Sequence, residues 1–135
     1  MDAVPARAAN APHVAVVKCG QTYERDWFGS DASGKSVVGL ATLLGVHYET
    51  IGLDELLAGS PLDYTSVWFS SCQWVSAEDY PLLLAHLEGL VAAGRSVFLD
   101  GPLGVFYLDE LGDDHWRAMD EVADILGVDE SGWYS

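Results

Sequence analysis

The chain has 135 residues, with 6 Lys+Arg against 21 Asp+Glu and a formal net charge of −15. Such an acidic surface repels phosphate backbones and anionic headgroups, and no run of Lys or Arg offsets it, so nucleic acid and membrane surfaces are excluded as partners. A hydrophobic content of 50% at this length predicts a single compact domain, and no apolar stretch approaches the roughly 18 residues that span a bilayer.

Residues 1–12, MDAVPARAANAP, are rich in Ala and Pro and lack hydrophobic periodicity, which predicts a flexible lead-in to a domain covering residues 13–135. The segment has no apolar centre and so is not itself a signal peptide, but its composition is that of a stretch just after a signal cleavage site. That points to a secreted or cell-surface protein, with a cytoplasmic one as the alternative. His13 to Cys19, HVAVVKC, is a β-branched apolar run ending at Gly20, the pattern of a buried parallel strand. Gly20 to Ser33 then reads as a polar and aromatic loop, and loops of such length are more often functional than idle.

Gly34 to Leu44 places Val37, Val38, Leu40, Ala41 and Leu44 at helical spacing, with Gly45 suited to a left-handed cap. Val46 to Ile51 is a second strand, Leu53 to Leu57 a short helical turn, and Thr65 to Ser71 a third strand. Ser76 and Asp79 are alternative caps for a long helix with Leu83, Leu84, Leu87, Leu90 and Val91 on one face and Gly94 as its stop. Arg95 to Asp100 is the fourth strand. Asp113 and Asp114 are expected to cap a last helix whose core face is Trp116, Met119, Ala123 and Leu126, closed by Gly127. Strict alternation of strands and helices predicts an α/β three-layer sandwich with a mostly parallel, flavodoxin-like sheet of order 2-1-3-4.

In an open sheet of this kind, ligands sit beyond the carboxyl ends of the strands, at the switch point between strands one and three. The aromatics Tyr23, Trp27, Phe28, Trp74, Phe106, Tyr107 and Trp116 fall on loops or helix starts near that edge, with Trp133 and Tyr134 close to the last residue. Aromatic faces flanked by carboxylates and amides suit sugar rings, so Tyr23, Trp27, Gln73, Trp74, Asp100 and Trp116 are the expected ligand-binding residues. Cys19 and Cys72 lie at the ends of neighbouring strands about 5 Å apart, which permits a disulfide; in a reducing compartment they are buried thiols instead. Neither has a His or a second Cys at ligand spacing, so no metal or other cofactor is expected. His115, beside Asp113 and Asp114, reads as a solvated cap.

Gly29 to Ser36 formally matches the phosphate-loop pattern G-x-x-x-x-G-K-[ST]. With Gly29, Gly34, Lys35 and Ser36 on phosphates and Asp100 holding magnesium, the alternative function is a small-molecule kinase-like, nucleotide-binding enzyme. Against it, such a loop follows directly on a buried strand, whereas Glu24, Arg25, Asp26, Trp27 and Phe28 precede Gly29 here.

The order of elements, with VHYETIGLDEL, LDYTSVWFSS, SAEDYPLLLAHLEGLVAAGRSVFLDGPLGVFYLDELG and the final ILGV, resembles the class I glutamine amidotransferase-like fold over most of residues 13–128. The likeness is to the degenerate form attached to carbohydrate-active enzymes, such as the beta-galactosidase trimerisation domain. Working members of that superfamily carry a nucleophilic Cys in a G-x-C-x-G elbow after the strand matching Arg95 to Asp100. Here the turn reads Asp100-Gly101-Pro102-Leu103-Gly104, and the sequence ends before the expected His and acidic partner. The resemblance therefore implies a non-catalytic module that binds glycan or supports a catalytic neighbour in a parent chain. A receiver domain is excluded in the same way, because the third strand ends in Ser71-Cys72 without a phosphoacceptor Asp.

Overall fold

The structure, a computed structural model, describes residues 13–19, 30–70 and 72–127. The elements in chain order are β1 (His13–Lys18), α1 (Ser30–Leu44), β2 (His47–Gly52), α2 (Leu53–Ala58), β3 (Ser66–Ser70), α3 (Asp79–Ala92), β4 (Ser96–Asp100), β5 (Phe106–Leu108), β6 (Asp114–Trp116) and α4 (Asp120–Leu126). The first four strands form one all-parallel sheet in the order β2-β1-β3-β4. Val14 to Val17 of β1 are at most 2% exposed, because helices cover both faces of this central strand. On one face Ala15, Val17, Val67 and Phe69 pack with Leu53 and Leu56 of α2, Leu83, Leu87 and Leu90 of α3, and Val122 of α4. On the other, Val14, Val16 and Trp68 meet Val37 and Ala41 of α1.

The long helix α3 begins as its sequence prescribes. Ser76 Oγ accepts the Asp79 N–H and the Ser76 carbonyl accepts the Tyr80 N–H. It ends where Gly94 adopts φ +70°, with the Arg95 N–H returning to the Leu90 carbonyl and the Gly94 N–H to that of Val91. Gly45 ends α1 in the same manner, through bonds from Val46 to Ala41 and from Gly45 to Thr42. Helix α1 starts at Ser30, earlier than the expected Gly34.

The expected helix from Asp113 is replaced by a β-hairpin, and α4 starts only at Asp120. Two interactions, one local and one long-range, account for the difference. Asp109 Oδ1 accepts the N–H groups of both Leu111 and Asp113, and its Oδ2 bonds His115 Nε2 at 2.8 Å, so one carboxylate organises the turn that a helix would have to dissolve. Arg117 then anchors the second strand: its Nη1 donates to the carbonyls of Val75 and Gly104, while the guanidinium lies 3.9 Å from the Tyr80 ring centre and 4.5 Å from that of Tyr107. Burial, together with the Glu121 carboxylate, pushes the Tyr80 hydroxyl up to about 12, which keeps that ring neutral beneath the cation. Trp116 is consequently on a strand and 56% exposed, outside the core where the helical reading put it.

Two substitutions separate backbone conformation from packing. A Cβ at Gly94 or at Gly39 would meet nothing within 4 Å, but only Gly94 has a positive φ. Gly94→Ala is expected to lower the unfolding free energy by about 1–2 kcal/mol, and Gly39→Ala, inside α1, to raise it by up to about 1 kcal/mol, both read by urea denaturation. A second prediction concerns His86, which is 6% exposed on α3 with its Nε2 lacking a hydrogen-bond partner among the described residues. Burial holds its imidazole below the ordinary 6.5, with Asp63 opposing. The unfolded chain thus binds this proton first, so the contribution of neutral His86 is complete above about pH 6.5 and declines as pH falls toward the lower folded value. Urea midpoints between about pH 7.5 and 5 should fall with acid, and fall less in His86→Leu.

Candidate functional site

The carboxyl ends of β1 and β2 open on a cavity of about 550 Å³, within the roughly 300–1,000 Å³ typical of small-molecule sites. The sheet order creates it. Strand β1 lies between β2 and β3, and the residues that follow β2 and β3 border a crevice beyond its carboxyl end. Lys18 and Cys19 at the end of β1 form one wall. Gly52 and the first turn of α2, with Asp54 and Glu55, form the second, and residues Trp74 to Ser76 with Asp79 at the start of α3 form the third.

A disulfide between Cys19 and Cys72, with Cα atoms 5.2 Å apart, ties the end of β1 to the segment leaving β3. Both cysteines are buried, at 3% and 1% exposure. Beyond it, residues 72–75 run beside residues 104–106: the Gly104 N–H bonds the Cys72 carbonyl, the Phe106 N–H that of Gln73, and the Val75 N–H that of Phe106. This pairing fixes Trp74, whose ring stacks on Phe106 at 5.0 Å. The third wall of the cavity is therefore held by ladder bonds on one side and by a covalent link on the other.

Of the six residues expected to bind ligand, Trp74 alone among those described lines this cavity, and at 9% exposure it presents an edge of the wall rather than an open stacking face. The reason is the pairing with residues 104–106, which sequence spacing does not reveal. Gln73 lies toward β4, its Nε2 4.0 Å from the position a Cβ would take on Gly101, and Asp100 is the last residue of β4, opposite Ser70. Trp116 stands on the hairpin, edge-on to Phe106 at 5.4 Å. Tyr23, Trp27 and Gly29 lie outside the described residues, as do Phe28, Trp133 and Tyr134. Asp54, Glu55 and Asp79 line the cavity unforeseen as site residues, although their position just past a strand end and in the first turn of a helix was readable.

The turn after β4 has no nucleophile. Gly101 and Gly104 take φ +96° and +69°, and Leu103 between them is 1% exposed in the core. Gly104 is constrained twice, since a Cβ there would also lie 3.3 Å from Tyr80 Cε1. His115 is half exposed on the hairpin, stacked on Tyr107, and bonded to Asp109. That hydrogen bond, with the backbone N–H groups of Asp113 and Leu111, holds the Asp109 carboxyl below its usual range. His115 is thus a hairpin residue, not a helix cap.

The phosphate-loop run also changes character. Helix α1 takes in Gly34, Lys35 and Ser36 after its first turn, where backbone N–H groups close on carbonyls four residues earlier. A phosphate loop instead leaves those groups turned to the anion. No group of three or more His, Cys, Asp or Glu side chains among the described residues is arranged to hold a metal ion.

Fold and site together define an α/β three-layer domain, with an all-parallel sheet of flavodoxin-like order and an open crevice at its switch point. A scan of protein-family models finds no match to the chain, and a search of curated proteins finds none either. Among solved structures it is similar to the crystal structure of beta-galactosidase from Bifidobacterium adolescentis, with 16% identity and a TM-score of 0.61, over 88% of this chain and 54% of that one. The chain spans about half the length of that structure, and the likeness is one of fold.

The disulfide closes a loop between residues 53 positions apart. By chain entropy such a closure is worth about 4 kcal/mol. Reduction under native conditions, or Cys19→Ser with Cys72→Ser, should therefore lower the unfolding free energy by about 2–4 kcal/mol, with free thiols counted by mass spectrometry before and after denaturation.

Proposed function

We propose that this chain is a non-catalytic, amidotransferase-like module of a carbohydrate-active protein, which binds glycan or supports a catalytic neighbour through the carboxyl edge of its sheet. The observation that carries the reading is the structural likeness to a beta-galactosidase over 88% of the chain. The elbow position supports the non-catalytic part, because Pro102 and buried Leu103 stand where an amidotransferase would need its thiol. The buried Cys19–Cys72 disulfide supports a secreted or cell-surface location, where such bonds persist.

The cavity supplies what a sugar needs. Its carboxylates, Asp54, Glu55 and Asp79, can accept bonds from sugar hydroxyls, and the Trp74 edge adds an apolar border. Affinity electrophoresis through gels containing galactan, arabinogalactan, xylan or chitosan tests the glycan arm. At least one polysaccharide should retard the protein, and Glu55→Gln should relieve that retardation without changing the thermal midpoint. Retardation by none of them would remove the glycan arm and leave only the supporting one.

A further inference from the structure

Strand β4 is an edge of the sheet, and it is an unguarded one. All its residues, Ser96 to Asp100, are at least partly accessible, and Ser96 to Leu99 include no charge and no proline. The opposite edge, β2, displays exposed His47 and Glu49, charged or polar side chains of the kind that discourage a further strand. The Ser96 N–H bonds the Thr65 carbonyl, so Ser96, Phe98 and Asp100 turn their backbone groups to β3. Val97 and Leu99 therefore turn theirs outward, where no described strand meets them. Side chains alternate as well. Phe98, 38% exposed, lies on the α1 face with its ring 5.4 Å from that of Trp68, while Val97 and Leu99 pack against the core on the other face.

We propose that this edge pairs with the same edge of a second copy, antiparallel about a two-fold axis through Phe98. In that register Val97 of each copy faces Leu99 of the other, so the outward backbone groups of both residues are all hydrogen-bonded. The two Phe98 rings meet at the closer, non-hydrogen-bonded position, and each Ser96 hydroxyl faces an Asp100 carboxylate. Slipping the pairing sets Phe98 against Ser96 or Asp100 instead. Charge selects the antiparallel choice. It brings Arg95 of one copy next to Asp100 of the other, whereas a parallel pair would put Asp100 beside Asp100 and Arg95 beside Arg95. A strand that matches itself about its own centre fits a second copy, through an isologous contact that closes at two. One strand edge buries less than the about 800 Å² per partner of a standard interface, so the pair is reversible, with a Kd on the order of 10–100 μM. The two crevices then open at opposite ends of the joined sheet.

Sedimentation velocity tests the pairing over protein concentrations from about 5 to about 500 μM, in about 0.15 M salt, where a Debye length of about 8 Å screens the like charge of the two copies. Monomer should pass to dimer across that range. Phe98→Lys, with its fold checked by thermal midpoint, should weaken the dimer at least tenfold. Cysteine cross-linking reads the register independently of that variant. After mild oxidation Phe98→Cys should form a covalent dimer, because the paired Cα atoms stand about 4.5 Å apart, and Ser96→Cys should form one only when mixed with Asp100→Cys. Monomer alone at about 500 μM, oligomers growing beyond two, a dimer that folded Phe98→Lys leaves intact, or cross-linking of Ser96→Cys alone as readily as Phe98→Cys would each overturn the proposal.

Discussion

The parallel pairing of β1 with β3 is the constraint on which the rest of the molecule depends. Four consecutive residues of β1, Val14 to Val17, are buried from both faces, which requires a strand on each side and helices above and below. Once β1 is central, β2 and β3 must leave it on opposite sides, and the crevice between their connections follows from topology alone. The Cys19–Cys72 disulfide closes the same pair at its carboxyl end, where ladder bonds would otherwise fray into the loops that build the cavity. Core and candidate site thus share one seam.

The division between what the residues announced and what they concealed follows the range of the interactions. Local signals were legible. The β-branched run of β1, the Leu83, Leu87 and Leu90 stripe of α3, and the glycines at 45 and 94 each act within a few residues of their own position, and each element lies where its signal put it. The stretch after residue 105 was misread because its structure is decided at a distance. Arg117 reaches back to carbonyls of Val75 and Gly104, and Phe106 pairs with the segment after β3, so residues with acceptable helical spacing are drawn into a hairpin. The same pairing hides Trp74, which sequence alone presents as an exposed aromatic. Site residues were concealed for another reason. Asp54, Glu55 and Asp79 read as acids favoured in a first helical turn, and only the order of the strands shows that two such turns face one crevice.

The net charge of −15 also acquires a place. A dispersed negative charge keeps a protein soluble and says little more. Here part of it is gathered at the point where an open α/β sheet accepts its ligand, and a helix rather than a phosphate loop occupies the Gly34–Ser36 run. Both features weigh against a nucleotide phosphate at this edge of the sheet.

The proposed function places the glycan contact in the crevice beyond the carboxyl end of β1. Amide chemical-shift mapping of the disulfide-bonded protein during titration with a soluble galacto-oligosaccharide tests that placement. Perturbations should concentrate at Lys18, Gly52 to Glu55 and Trp74 to Asp79, with the hairpin tip from Asp109 to Asp113 silent. Perturbations centred on the hairpin or on α1, or none at saturating sugar, would contradict it.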